Sequence, residues 1–352
     1  MSGEGSIGAP ASGAPRAQDL PGSPAPLSVV IPTHDTRALT LCCLASLASA
    51  RPAPAEVIVV DDGSRDGTAE AVAASYPGAR LLRHEEARGF TASVNAGAAL
   101  AESDLLLLLN SDTEVAVDAL GALVGAFAGN PRLGVAGAAL RYPDDRPQWS
   151  GGRRPGALWL FALASGLAFR LGGLGAWRRR RAVSGHGASR VEWVTGAALA
   201  TRRAVWAEVG PLDPRFVLYG QDLDFCLRAR DAGWEVAVVS ECRVSHHHGA
   251  TVGAAGGVGA ARHDAGLLWA DLVRWVAKRR GPAAARRAAR ILRLGGAVQR
   301  LILVAEGALR AAPMNARQER RMLREAAAAA RAAASEAPAG RLPRAAERST
   351  TR

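Results

Sequence analysis

The chain has 352 residues, 49% of them hydrophobic and 22% charged, which is enough material for a substantial apolar core. That balance excludes a collagen-like, disulfide-stapled or wholly disordered polymer. The net charge of +12 is unevenly placed: residues 261–352 carry 20 basic and 7 acidic side chains, whereas the 260 before them carry 24 and 25.

In chain order, residues 1–26 are dominated by Gly, Ala, Ser and Pro and are expected to form a disordered leader. No basic stretch there leads into an apolar one, so no secretory signal is expected. Residues 27–31 are apolar and β-branched, stop at Pro32 and read as a buried strand. Helical spacing of Leu41, Leu44 and Leu47 covers residues 38–50. A second strand over 56–60 ends in Asp61-Asp62-Gly63-Ser64, followed by a helix over 68–75 and a short strand over 80–83. A small-residue helix over 90–101 precedes five consecutive leucines, 105–109. Apolar strands alternating with helices predict an α/β fold with a mostly parallel sheet covered on both faces. Such sheets bind ligands beyond the carboxyl ends of their strands. There the chain places Thr33, His34 and Asp35, then Asp61 and Asp62, then Asn110 and Asp112.

Residues 142–155 are turn-rich, and the apolar run 157–169, at 13 residues, is too short to cross a bilayer and is expected in the core or at an interface. Regular order returns over 191–249, with a strand at 235–239. Residues 264–278 and 283–309 have amphipathic periodicity with arginine on one side, and from 311 an Ala/Arg/Glu-rich frayed helix or tail is expected. Cys42, Cys43, Cys226 and Cys242 lack metal-site spacing and are expected as reduced, buried thiols. Lys278 is the only lysine among 44 basic residues, a bias attributed to genomic composition.

Several segments carry chemistry. Asn110 and Asp112, alternate residues just past a buried strand, suit Mg2+ or Mn2+, although an Asx-turn explains them equally well. Asp61 and Asp62 would repel a phosphate and better suit a base N–H or ribose hydroxyls, while Asp66 or Thr68 serves as a helix cap. Asp222 and Asp224 fall in the first turns of a helix, where the macrodipole welcomes acids. Asp222, behind Tyr219 and Gly220, is also placed to deprotonate an acceptor hydroxyl. His246-His247-His248 reads as a solvated run or as a metal ligand.

Taken in order, these segments resemble the family-2 inverting glycosyltransferases of GT-A fold, closest in pattern to the rhamnosyltransferase-like branch that builds bacterial cell-surface glycans. The motifs are Val29-Val-Ile-Pro-Thr-His-Asp35, Val57-Ile-Val-Val-Asp-Asp-Gly-Ser-Arg-Asp-Gly-Thr68, Arg88-Gly-Phe-Thr-Ala-Ser-Val-Asn-Ala-Gly97, Leu109-Asn-Ser-Asp-Thr-Glu114, Val194-Thr-Gly-Ala-Ala-Leu-Ala200, Tyr219-Gly-Gln-Asp-Leu-Asp-Phe-Cys-Leu-Arg228 and Val244-Ser-His-His-His-Gly249. The resemblance implies that Pro32, Thr33 and Asp35 contact the nucleotide and that Asp61 and Asp62 face base and ribose. By the same resemblance Arg88 and Asn95 line nucleotide and sugar, Asn110 belongs to the Asp-x-Asp position, and Gly196 leaves room for the sugar. Asp112 and His246 (or His248) would hold Mg2+ or Mn2+, and Asp222 would be the base. Gln221 stands where the family pattern has Glu.

The implied function is metal-dependent transfer of a sugar, rhamnose being favoured, from a nucleotide-sugar donor to a glycan or lipid-linked acceptor. The implied division is a leader (1–26), a GT-A domain (27–255), a basic amphipathic helical extension (256–310) and an Ala/Arg-rich helix or tail (311–352). The extension is expected to lie on an anionic membrane surface, placing the enzyme in the cytoplasm and peripherally on the inner face of the cell membrane. No nucleic acid is expected as partner, because no aromatic platform is interleaved with the arginines. The rival reading is a degenerate module that binds a nucleotide sugar or glycan without turning it over.

Overall fold

The computed structural model describes residues 25–167, 187–216, 219–247, 265–309 and 313–336. Most of the expected leader, the last two residues of the 157–169 run, His248 and the end of the tail lie outside the described residues.

The chain opens with β1 (Ala25–Thr33), α1 (Arg37–Ser49), β2 (Pro54–Asp61), α2 (Thr68–Ser75), β3 (Arg80–Arg83), α3 (Phe90–Leu100) and β4 (Leu105–Leu109). The expected alternation of strand and helix is therefore present, within a residue or two at each end. β1 pairs in parallel with both β2 and β4, and β2 pairs in parallel with β3. Next come β5 (Thr113–Val115), α4 (Ala119–Gly129), β6 (Leu133–Arg141), β7 (Gly151–Gly152), α5 (Ala157–Ser165), β8 (Ala188–Arg190), β9 (Trp193–Val194) and β10 (Ala198–Arg202). The chain continues through α6 (Arg203–Val209), α7 (Gln221–Asp231), β11 (Glu235–His246), α8 (Ala265–Arg280), α9 (Pro282–Leu309) and α10 (Pro313–Ser335). The main sheet runs β3-β2-β1-β4-β10-β6-β11-β5, with β8 added beside β11. β10 is antiparallel to both β4 and β6, so it begins at the edge where β4 ends.

Side-chain alternation splits the core in two. Leu27, Val29 and Ile31 of β1 and Leu105, Leu107 and Leu109 of β4 pack with Leu44, Leu47, Leu120, Leu123 and Phe127 beneath α1 and α4. Val30, Leu106 and Leu108 face the opposite way, toward Val94 of α3 and Leu223, Phe225 and Leu227 of α7. Trp269, Val273 and Trp275 of α8 and Leu292 of α9 belong to that second cluster. The segment expected to fray is α10, whose Ala326, Ala330 and Ala333 are buried in the same cluster. A face made mostly of single methyl groups, with Leu323, lets α10 lie close against α8 and α9, so of the two expectations, a frayed helix or a tail, the described residues 313–335 form a packed helix.

Two further features differ from expectation. β11 is 12 residues long and extends to His246, because its register shifts between Val239 and Arg243 and pairing then resumes along β6 and β5. Ser240 and Glu241, just past the expected strand 235–239, lie within that irregularity. Of the four cysteines, Cys42 is exposed, whereas the other three are buried as expected.

The packing of α3 over β1 and β2 depends on Gly97. A Cβ there would collide with a methyl of buried Val30 and stand 2.9 Å from Cγ2 of Val60. Gly97→Ala is therefore expected to cost about 1–3 kcal/mol, measured as a lower urea midpoint at unchanged slope.

Candidate active site

Six chain segments converge on the carboxyl edge of the sheet. The end of β1 turns through Asp35, whose φ of +49° is unusual for a residue with a Cβ. The turn is closed by Ser64 and Arg65: Asp35 N–H donates to Ser64 Oγ at 3.0 Å, and Arg65 N–H donates to Asp35 Oδ1 at 2.7 Å. Pro32 is buried in β1. Thr33 is buried too, its hydroxyl 2.8 Å from that of Thr36 and 2.7 Å from that of Thr40, so its side chain ties β1 to α1. Asp66 accepts from Thr68 N–H at 3.0 Å and from the Thr68 hydroxyl, so it bonds the first residue of α2 from one position outside the cap; the cap position itself is Gly67, not Asp66 or Thr68 as expected.

Asp61 ends β2, Asp62 follows it, and the two have different environments. Asp61 Oδ1 accepts from Ser64 N–H at 3.2 Å, and its buried Oδ2 lies 3.3 Å from Arg83 Nε. Asp62 accepts from Arg88 N–H at 2.9 Å, from Gly89 N–H at 2.8 Å and from His84 Nδ1 at 2.7 Å. Asp62 thus holds the loop into α3. Burial works to raise its pKa, but the hydrogen bonds from His84 and the two backbone amides outweigh it, and the net effect is a lowered value. The Arg88 side chain is exposed. Asn95 sits on α3 with each end of its amide on the backbone of Leu212, Nδ2 donating at 2.9 Å and Oδ1 accepting at 3.0 Å. Its contacts with protein hold the segment leading to α7.

Past β4, Asn110 N–H donates to Ala197 O at 2.9 Å, which brings the turn before β10 against the end of β4. Buried Asn110 Oδ1 has no hydrogen-bond partner among the described residues. Asp112 is buried, and its Oδ1 lies 3.4 Å from Nε2 of His246. His246 arrives there because β11 pairs with β5 (His246 opposite Thr113), and His247 N–H donates to Asp112 O at 2.9 Å. His246 is oriented by buried Gln148. Gln148 Nε2 donates to His246 O at 3.2 Å, which leaves Oε1 to accept from Nδ1–H at 2.6 Å and turns Nε2 toward Asp112. His247 points elsewhere, onto Glu114 at 2.7 Å. Among the described residues no three His, Cys, Asp or Glu side chains converge. A carboxylate, an oriented imidazole and the open carbonyl oxygen of Asn110 are nonetheless donors of the type that Mg2+ or Mn2+ accepts.

Asp222 opens α7. Gly196 N–H donates to its Oδ2 at 2.8 Å and Leu223 N–H to its Oδ1 at 2.7 Å. Burial raises the Asp222 pKa, opposed by those two amide bonds. Gly220 before it needs φ of +86°, a conformation suited to glycine. Gln221 is buried beside it.

The geometry therefore gathers Asp35, Asp61, Asn110, Asp112, Gly196, Asp222 and His246 at one edge, and it assigns Thr33, Asp62 and Asn95 to holding that edge together. Gln148, His84 and Asp271 were not singled out in the sequence. Gln148 and His84 stand in turns with no distinguishing pattern, and Asp271 is masked by the amphipathic periodicity of α8.

The sequence profile of the family described as Glycosyl transferase family 2 matches residues 28–184. An N-acetylglucosaminyl-diphospho-decaprenol L-rhamnosyltransferase of Mycobacterium tuberculosis is 30% identical over 228 residues, covering 60% of this chain and 72% of the relative. An O-antigen biosynthesis protein, RfbC, of Myxococcus xanthus is 28% identical over 234 residues, covering 64% of this chain and 17% of that protein. Among solved structures, one of GalNAc-T7 with UDP, GalNAc and Mn2+ aligns with a TM-score of 0.52 at 18% identity, covering 72% of this chain and 48% of that one, which supports the GT-A-like fold.

The lowered pKa of Asp62 has a stability consequence. A carboxyl whose folded pKa lies below its unfolded value, about 3.9 for aspartate, stabilises the fold above that value and loses the contribution as pH falls through the folded pKa. Asp62→Asn is expected to cost about 1–3 kcal/mol at pH 7. In urea titrations at decreasing pH, the gap to wild type should narrow below about pH 4.

Proposed function

This chain belongs to glycosyl transferase family 2, and from that premise we propose that it is an inverting transferase moving a sugar from a nucleotide donor to a glycan or lipid-linked acceptor in cell-surface polysaccharide assembly. The observation that carries the reading is the placement of Asp222, oriented by the amides of Gly196 and Leu223 at the edge where Asn110, Asp112 and His246 also end their strands. The acceptor oxygen attacks the anomeric carbon from the side opposite the diphosphate, Asp222 takes its proton, and the bond from carbon to the diphosphate oxygen breaks with inversion. Mg2+ or Mn2+, held by Asp112 and His246, would supply the positive charge that stabilises the departing diphosphate. Gln148 keeps His246 turned for that role. In this reading Asp35 and Asp61 would serve the base and ribose, and exposed Arg88 would serve the nucleotide. Rhamnose from dTDP is the donor we favour, on the motif pattern and on the activity described for the mycobacterial relative.

The test is nucleoside diphosphate release from a panel of nucleotide sugars with membrane extract as acceptor, with and without Mn2+ or Mg2+. Metal-dependent release from one donor is expected, falling by about 10²–10⁴ in Asp222→Asn. Because the base acts ionised and its pKa is raised, the acidic limb of kcat/KM should lie above the ordinary aspartate value of about 4. No release from any donor would instead favour the degenerate binding module.

A membrane surface is the second partner of this reading. No described helix is long and apolar enough to cross a membrane. Between Asp271 and Glu306 the chain has nine basic residues and no acidic one. Along one face of α9, Arg286, Arg287, Arg290 and Arg293 are exposed, followed by Leu294, Leu301 and Val304, which are 60%, 70% and 50% exposed. Arginines leading into exposed aliphatic side chains suit an anionic bilayer, where the guanidiniums meet headgroups and the leucines enter the acyl boundary. In flotation assays the protein should bind vesicles of phosphatidylcholine and phosphatidylglycerol, but not phosphatidylcholine alone. Leu294→Asp with Leu301→Asp should reduce binding at least tenfold; unchanged binding refutes the assignment of this face.

A further inference from the structure

The loop that delivers Asp222 is held from outside the sheet, by one face of α8. Asp271, Arg274 and Lys278 stand at positions i, i+3 and i+7 of that helix and so share a side. Buried Asp271 accepts from Tyr219 N–H with Oδ2 at 3.0 Å, and its Oδ1 pairs with Arg274 at 2.8 Å. Lys278 Nζ lies 2.7 Å from Oδ2 of Asp213 and 2.7 Å from Oδ2 of Asp224. Asp213 precedes the base by nine positions and Asp224 follows it by two, so a single ammonium joins the two sides of the segment that carries Asp222. The same Nζ lies 5.7 Å from the centroid of the Phe216 ring, whose carbonyl accepts from Thr91 Oγ1 of α3 at 3.0 Å.

The partners are arranged for a compact cation. Asp224 Oδ2 also accepts from Arg228 Nε at 2.9 Å, and Arg228 in turn donates to Gly210 O and Pro211 O. Asp213 is further paired with Arg215 at 2.6 Å. Burial works to raise the Asp213 pKa, yet hydrogen bonds from Arg215 and Lys278 outweigh it and hold the carboxyl well below the usual range. Lys278 is 12% exposed, in a site with two guanidiniums already at its edges. A tetrahedral ammonium with three donors fits between two carboxylates there more readily than a third planar fork. This is the only lysine in a chain that otherwise uses arginine for every basic side chain.

We propose that Lys278 and Asp271 of α8 are positioning residues for the transfer step, fixing Asp222 against Gly196 by clamping the segment between Asp213 and Asp224. The proposal rests on the assignment of Asp222 as base. It makes the basic C-terminal extension part of the machinery that positions the base, separately from any contact α9 makes with lipid.

The experiment compares full-length wild type, Lys278→Met, Lys278→Arg, Asp271→Ala and Asp222→Asn. Three quantities are read: amide hydrogen exchange across residues 209–224, turnover of whichever panel donor the wild type uses, and binding of UDP and dTDP with Mn2+. Lys278→Met is expected to raise exchange in that segment at least tenfold, with strands β1, β2 and β4 unchanged. Its kcat should fall at least tenfold while nucleotide Kd stays within twofold, and Lys278→Arg should recover part of the kcat. Asp271→Ala should show the same separation of kcat from Kd, and it decides the matter if Lys278→Met does not fold. Unchanged exchange, or kcat and Kd lost together in a folded variant, overturns the proposal while leaving Asp222 as base. Wild-type turnover in Asp222→Asn overturns both.

Discussion

Everything at the carboxyl edge depends on a reversal of direction in the middle of the sheet. β10 runs antiparallel between β4 and β6, so the residues entering it lie beside the residues leaving β4. The hydrogen bond from Asn110 N–H to Ala197 O fixes that meeting, and the amide of Gly196, one residue earlier, then reaches the carboxylate of Asp222. With a wholly parallel sheet the turn before β10 would lie at the opposite edge, and the acid that opens α7 would lose the Gly196 amide and keep only the N–H of Leu223 within its own helix. The constraint is one of direction and register, and the chemistry of the edge follows from it.

The two sides of the sheet have unequal tasks. Beneath α1 and α4 the apolar cluster is closed by leucines and Phe127 and contributes mainly stability. On the other side α3, α7 and α8 are packed through one cluster, and polar bonds cross between them at each level: Asn95 to Leu212, Thr91 to Phe216, Asp271 to Tyr219, Lys278 to Asp213 and Asp224. Buried polar groups of this kind are costly unless satisfied. Their concentration around one short segment is the physical signature of a place where position matters more than burial.

Much of this was legible in the sequence because it is periodic. Apolar strands, their polar ends and the amphipathic helices are local patterns, and the order of motifs identified the family. What was not legible involves residues distant in the chain or neutral in pattern. Asp62 reads as a ligand-facing acid, but its partners His84, Arg88 and Gly89 lie 22 to 27 residues away, and those contacts make it a loop anchor. Asn95 lies in a family motif and still bonds protein backbone 117 residues distant. α10 read as a frayed helix or tail because, apart from Leu323, it is buried mainly through alanine methyl groups, which give no periodic pattern of large apolar residues. Lys278 was visible as the sole lysine, but composition alone could not say what two carboxylates it would meet.

The thiols have a practical consequence. Burial pushes the thiols of Cys43 and Cys242 up to about 12 and raises that of Cys226 as well, so at neutral pH all three are protonated and shielded. Cys42, on the helix that follows the Asp35 turn, is the exposed one. The native protein thus presents a single addressable thiol. A maleimide fluorophore would attach at one place, without engineering, on the helix that follows the strand end expected to meet the nucleotide, giving an optical reporter built into the wild-type chain.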